Sequence, residues 1–139
     1  MENKQTVTVI GAGLAGSEAA WQIAQAGYPV RLFEMKPQKF SPAHKSAGFA
    51  ELICSNSLKA ARIDSAAGLL KEEMRRMDSL LVACADKTAV PAGGALAVDR
   101  DRFSELVTKA ITEHPNIEVM HGEVTEIPAE GVTVIASGP

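Results

Sequence analysis

Three glycines and one acid carry the first chemical signal in this chain. Gly11, Gly13 and Gly16 stand in the run Gly11-Ala12-Gly13-Leu14-Ala15-Gly16, between an apolar run, Val7-Thr8-Val9-Ile10, and an alanine-rich stretch. Glycines at this spacing suit phosphate binding. The first permits a tight turn off a strand, the second lets a pyrophosphate approach the backbone, and the third lets a helix pack close to the sheet. A helix starting there points unpaired N–H groups and the positive end of its dipole at the phosphates. A second apolar run, Val30-Arg31-Leu32-Phe33, closes on Glu34. That acid lies close to the roughly 20-residue spacing at which a carboxylate accepts hydrogen bonds from a ribose hydroxyl. A glycine-rich turn alone is a weak signal. With both strands, the helix and the acid in place it is a dinucleotide-binding fingerprint in its expected context.

The second signal is Cys54, followed by three small polar residues, Ser55-Asn56-Ser57. A helix N-terminus or a basic neighbour would activate this thiol. The competing reading is a small buried hydrophobe. Cys84 falls in the apolar set of a later helix and reads as structural. His44, His114 and His121 are scattered, and neither a metal-ligand spacing nor Cys-x-x-Cys occurs. A Gly-x-Ser-x-Gly elbow and a Walker lysine are absent as well. His44 lies in the proline-containing polar stretch 35–48, which reads as a long loop of the kind that often carries function. Taken alone, His44 is a surface histidine.

These residues need elements to position them. Leu14 to Ala26 reads as the first helix, with Gly27 as its stop. Trp21 on it belongs to the core or its edge. Phe49 to Ala61 reads as one helix, or as a short helix broken at Ser55-Asn56-Ser57. Asp64 or Ser65 caps the next helix. There Leu69, Leu70, Met74, Met77, Leu80, Leu81 and Cys84 recur at helical spacing as one amphipathic helix, and Lys71 to Arg76 forms its solvated face. Lys87 to Gly94 is a loop and Ala95 to Val98 a strand. Asp99 caps a helix reaching about His114, with Phe103, Leu106, Val107, Ala110 and Ile111 on its apolar face. Arg100 and Arg102, exposed in its first turn, are within reach of a bound phosphate or ring. Ile117–Met120, Gly122–Ile127 and Val132–Ala136 read as strands. The expected fold is α/β: a three-layer, Rossmann-like FAD-binding domain with a parallel sheet, apparently truncated. Its parts are β-α-β over 7–34, a loop and cysteine segment over 35–61, a helical insertion over 62–86, and a helix with return strands over 95–139.

Composition narrows the function classes. At 139 residues the chain suits one domain with a real core. Apolar residues at 46% and charged residues at 22% are ordinary for a globular protein. A net charge of −3 gives no global basic field for nucleic acid, and few aromatics disfavour a base-stacking platform. No apolar run approaches the roughly 20 residues of a membrane span. Met1 to Gln5 leads straight into a strand with no secretory leader. Two cysteines make no disulfide framework, so a cytoplasmic protein with free thiols is expected. The last strand runs into Ser137-Gly138-Pro139 and stops, an odd finish for a doubly wound sheet. The expectation is the N-terminal piece of a longer protein.

Several blocks resemble the TrmFO (Gid) family of folate- and FAD-dependent tRNA uracil-5-methyltransferases. They are VIGAGLAGSE (Val9–Glu18), FEMKP (Phe33–Pro37), Pro42-Ala43-His44, FAELICSNSL (Phe49–Leu58), VPAGGALAVD (Val90–Asp99) and TVIASGP (Thr133–Pro139), in the family's order. The first fits any flavoprotein of the two-dinucleotide-binding type; the fourth and fifth are far more specific. The resemblance implies bound FAD. Gly11, Ala12, Gly13, Leu14, Ala15 and Gly16 would hold the pyrophosphate, and Glu34 the adenosine ribose with Met35 and Lys36 beside it. Arg102 would also reach the cofactor, Val124 would meet the adenine through its backbone, and Ser137-Gly138 would return to the cofactor. Ser137 replaces a threonine and keeps the hydroxyl.

The implied reaction methylates the T-loop uridine of tRNA to 5-methyluridine. Methylenetetrahydrofolate gives the carbon, reduced FAD carries and reduces it, and NAD(P)H resupplies electrons. Cys54 matches a cysteine tied to catalysis, by proton abstraction or transient covalent attachment. A second functional cysteine, the tRNA-binding domain and much of the folate site would lie beyond Pro139. Three alternatives stand beside this. One is the related flavoprotein that modifies wobble uridines, which the Cys-Ser-Asn-Ser block disfavours. Another is a small-molecule FAD/NAD(P)H oxidoreductase, and the third a non-catalytic nucleotide-binding domain.

Overall fold

The computed structural model describes residues 4–138. The expectations resting on Met1-Glu2-Asn3 and on Pro139 lie outside the described residues.

Strand β1 (Val7–Ile10) leads through the glycine turn into helix α1 (Leu14–Gln25) and strand β2 (Val30–Glu34). The two strands pair in parallel, Val7 with Val30 through Ile10 with Phe33. Helix α1 stops at Gly27, which takes a φ of +83° that an L side chain rarely adopts. Later in the chain, β6 (Ile117–His121) adds in parallel to β2, and β7 (Val132–Ile135) adds in parallel to β1. The sheet order is β6-β2-β1-β7, the expected doubly wound arrangement. Helix α4 (Arg100–Thr112) is capped by Asp99, whose carboxylate accepts from the Arg102 N–H, as the sequence predicts.

The core lies between one face of this sheet and the helices. Val9, Val30, Leu32 and Ile117 from the strands meet Ala20 and Ala24 of α1 and Phe103, Val107 and Ile111 of α4. Alanines on α1 let it approach the sheet closely. Trp21 sits at the core's edge and meets the His114 ring edge-on, with centroids 5.2 Å apart.

Between β2 and α4 the chain departs from expectation in several places. Phe49 to Cys54 is not helical: it bends across the glycine turn, and Ser57–Ala60 forms strand β3. Tertiary bonds take the place of helical ones. The Ala50 N–H donates to the Ala12 carbonyl at 2.9 Å, the Phe49 N–H to Thr108 Oγ1, and Ser104 Oγ to the Phe49 carbonyl. The expected single amphipathic helix is two, α2 (Ala66–Arg76) and α3 (Leu80–Lys87), broken at Asp78, whose φ is +56°. Of the two candidate caps on α2, Ser65 does the capping. The stripe on α2 is inverted. Leu69, Leu70 and Met77 are exposed, while Lys71, expected on the solvated face, is buried with its ammonium on the Ala60 and Ala67 carbonyls. Within the expected loop 87–94 a two-residue strand β4 (Ala89–Val90) forms, and it joins β5 (Ala95–Val98) and β3 in an antiparallel sheet of order β3-β5-β4. Gly122 to Ile127, expected as a strand, carries no strand. It begins the crossover from β6 to β7, which lie at opposite edges of the sheet and leave it no ladder partner.

Candidate functional site

The glycines do different work, which shows in what an added Cβ would meet. At Gly11, with φ +97°, it would collide with the Ala136 carbonyl; at Gly16, with the carbonyl of Gly11. Both are demanded by the protein's own packing of α1, β1 and β7. At Gly13 nothing lies within 4 Å. That position faces open space, so the fold itself does not demand a glycine there.

The open space is a cavity of about 490 Å³ at the carboxyl ends of the parallel strands, where ligands bind in open α/β sheets. Gly11, Gly13, Leu14 and Ala15 form one part of its wall, and Glu34, Met35 and Lys36 another. Val124, Ser137 and Gly138, far apart in sequence, close it. At the α1 N-terminus Gly13 offers no side-chain cap and the first turn holds no acid. The first N–H groups of α1 are therefore left for an anion.

Glu34 is 7% exposed. Its Oε2 accepts from the Ala12 N–H and its Oε1 from the Lys36 N–H, both at 2.9 Å. The acid thus ties the glycine turn to the end of β2. A carboxylate has about four acceptor sites, which leaves lone pairs for a ribose hydroxyl. Ala12 is buried beneath the turn, and its carbonyl takes Ser17 Oγ as well as the Ala50 N–H.

Lys36 lines the cavity with its ammonium turned away. Nζ donates to the carbonyls of Ser46 (3.0 Å) and Gly48 (2.7 Å) and pairs with Glu51 at 3.4 Å. Glu51 in turn accepts from the Lys45 and Ser46 N–H groups. Burial pushes the Glu51 carboxyl up, but those two N–H bonds and the Lys36 ammonium outweigh it and hold the pKa below its ordinary value. Lys36 and Glu51 together fold the loop 37–51 back onto the site. Nothing in the spacing of Glu51 marks it; its role comes from this tertiary fold.

Cys54 is exposed, which removes the buried-hydrophobe reading. It does not line the cavity itself, but its neighbour Ile53 does. Cys84 is buried as expected, and burial first, then Glu18, push its thiol pKa up against the opposing pull of Lys87. Asn56 bonds the backbone of Val98 in both directions, fixing the cysteine segment to β5. Arg102 is exposed in the first turn of α4 and lies outside the cavity wall, as does Arg100. His44, read as a surface residue, lines the cavity. Among the described residues no group of His, Cys, Asp and Glu side chains could hold a metal ion.

A family model described as "Glucose inhibited division protein A" matches residues 6–139. The chain belongs to this glucose inhibited division protein A family. Two curated relatives carry the name "Methylenetetrahydrofolate--tRNA-(uracil-5-)-methyltransferase TrmFO". The chain is 60% identical over 135 residues to that protein of Lactobacillus johnsonii, covering 97% of this chain and 31% of the relative. It is 61% identical over 133 residues to that of Acetivibrio thermocellus, covering 96% and 30%. The chain therefore spans about a third of the length of the curated relatives it matches. Among solved structures it is similar to p-nitrophenol 4-monooxygenase PnpA from Pseudomonas putida, with TM-score 0.56, 16% identity and 94% of this chain covered against 34% of the other. It is also similar to the peptidyl tryptophan dihydroxylase QhpG, with TM-score 0.50 and 20% identity over 91% of this chain and 27% of that one. At those identities the structures speak for the fold alone. That fold is the Rossmann-like α/β class expected from the sequence.

Proposed function

We propose that this chain is the FAD-binding part of a folate-dependent tRNA uracil-5-methyltransferase. The observation that carries the reading is its identity of about 60% to relatives of that name over 97% of its length. The site supports FAD in particular: the open Gly13 position, the uncapped α1 N-terminus, Glu34 and the returning Ser137-Gly138 segment all face one cavity. Gly13, Leu14 and Ala15 receive the pyrophosphate, Glu34 the ribose, and Val124 the adenine. Bound there, FAD supplies the redox chemistry that a one-carbon reduction requires.

On this reading methylenetetrahydrofolate provides the carbon, NAD(P)H the electrons, and the T-loop uridine of tRNA receives the methyl group. Cys54 takes a proton from the uracil ring or attaches to it transiently, a role that suits an exposed thiol one residue from the cavity wall. A tRNA substrate places the protein in the cytoplasm on this reading. No helix among the described residues is long and apolar enough to cross a membrane. The organisation proposed is a β-α-β unit over 7–34, a loop and cysteine segment over 35–61, a helical insertion over 62–86 and return elements over 95–139.

The test is 5-methyluridine formation in tRNA by the full-length protein with methylenetetrahydrofolate and NAD(P)H, wild type against Cys54→Ala. Wild type forms the product and the variant does not. A wild type without product sinks the reading, and a fully active variant sinks the role of Cys54.

A further inference from the structure

The charges around the cavity leave one role unfilled. A dinucleotide brings a diphosphate to the α1 N-terminus, and a helix dipole offsets only part of that charge. The cavity wall carries three acids, Glu34, Glu51 and Glu123, and one lysine, Lys36. Lys36 is committed to two carbonyls and Glu51. Lys39, next to the site, is paired with Glu123 at 2.6 Å. Glu34 holds two backbone N–H groups. His44 is the remaining wall residue able to carry positive charge, and no acid pairs with it among the described residues.

Its ring is held in place. The turn 41–44 closes through the His44 N–H on the Ser41 carbonyl, and Ser41 Oγ lies 2.6 Å from His44 Nδ1. The Ala43 N–H donates to the same Ser41 Oγ, leaving the hydroxyl proton for a contact other than its own backbone. As an imidazolium His44 donates its Nδ1–H to Ser41 Oγ, which leaves the Nε2–H to donate to a ligand in the cavity.

We propose that His44, as an imidazolium, is a direct contact for the diphosphate of the bound dinucleotide. The inference rests on the dinucleotide reading above and adds a cationic residue to it. A bound anion favours the imidazolium. Dinucleotide binding is therefore coupled to proton uptake by His44, and affinity is higher at the lower pH. His121 also stands close, with Nδ1 at 2.7 Å from the Lys36 carbonyl, and serves as the control. Lys45, next in sequence, is exposed and lies outside the cavity wall.

The experiment is equilibrium FAD binding followed by flavin fluorescence at about pH 5.5 and about pH 8. The proteins are wild type, His44→Gln, His44→Lys and His121→Gln, each checked for folding by thermal melting. Wild-type affinity falls about tenfold between the two pH values, the worth of one charge-assisted hydrogen bond. His44→Gln binds at the weak level at both, His44→Lys at the strong level at both, and His121→Gln keeps the wild-type slope. A His44→Gln slope equal to that of wild type overturns the assignment. So does a His44→Lys affinity that stays at the weak level, or a slope that vanishes in His121→Gln. Wild type that binds no FAD at either pH removes the dinucleotide reading itself, which separates the two failures.

Discussion

Two glycines two turns of logic apart give the sharpest test at the scale of single residues. A methyl group at Gly16 meets the Gly11 carbonyl, whereas one at Gly13 meets nothing of the protein. Gly16→Ala should cost about 2–3 kcal/mol of stability, because backbone must shift to admit the group. Gly13→Ala should leave the melting temperature almost unchanged and weaken FAD binding at least about tenfold, since the methyl occupies the space a pyrophosphate needs. Melting curves beside flavin titrations separate the two; equal stability losses would mean that Gly13 serves the fold after all. The two thiols differ in the same legible way. Cys54 is exposed, while burial raises the pKa of Cys84. One fast-reacting thiol per chain is expected with a disulfide reagent in the folded state, and none in Cys54→Ala. The glycine turn, the place of Glu34 at the end of β2 and the burial of Cys84 are legible because local backbone demands and helical spacing set them. Lys36 was read as a cofactor neighbour, and only the fold shows its ammonium turned onto the loop 46–51. His44 and Glu51 were invisible as site residues for the same reason, as their partners lie across a loop whose path no periodicity encodes.

At the scale of elements, legibility follows the locality of the forces. The β1-α1-β2 unit and α4 with its Asp99 cap are set by strand runs, helical spacing and nearby caps, and they form as expected. The segment 49–61 and the break between α2 and α3 are set from outside. Glu18 on α1 reaches across to the start of α3, accepting from Ser79 Oγ and from the Leu80 and Leu81 N–H groups. This is an N-terminal cap supplied by another helix, and it fixes where the long helical pattern is cut. Glu18→Ala should destabilise the protein by about 1–2 kcal/mol. Hydrogen exchange should speed up first in 80–87; uniform protection there would disprove the cap. The loop 37–51 carries its own pH signature. The Glu51 carboxyl is held below its ordinary value in the folded state, so its contribution is present above the unfolded pKa. It is lost as pH falls through the folded one. Denaturant titrations should show stability declining below about pH 4.5, with a shallower decline in Glu51→Gln. Lys36→Met, which leaves Glu51 and two carbonyls without their cation, should cost about 3 kcal/mol.

At the scale of the whole molecule, the sheet presents two unlike faces. One is closed by α1 and α4. On the other, strand alternation and register place Thr8, Arg31, Glu118 and Thr133 in one row and Ile10, Phe33, Met120 and Ile135 in the next. Parallel sheets are ordinarily covered on both faces. Here the Arg31–Glu118 pair is about half exposed at 50% and 66%, and Ile135 is 56% and Met120 37% exposed. Ile127, in the crossover beside the edge strand β7, adds further exposed apolar surface. Among the described residues the outer strands β6 and β7 have no further strand partner, and an open edge beside apolar surface favours association. The 139-residue chain should therefore self-associate, with a sedimentation coefficient that rises over about a tenfold concentration range. Met120→Gln combined with Ile135→Thr should return it to the monomer. Both side chains lie on the uncovered face, so the change should alter stability by less than about 0.5 kcal/mol per site. Flavin titration of that double variant supplies the control, because neither residue lines the cavity and FAD affinity should hold. A wild-type chain that sediments as a monomer throughout would show that the crossover 122–131 already shields the second face.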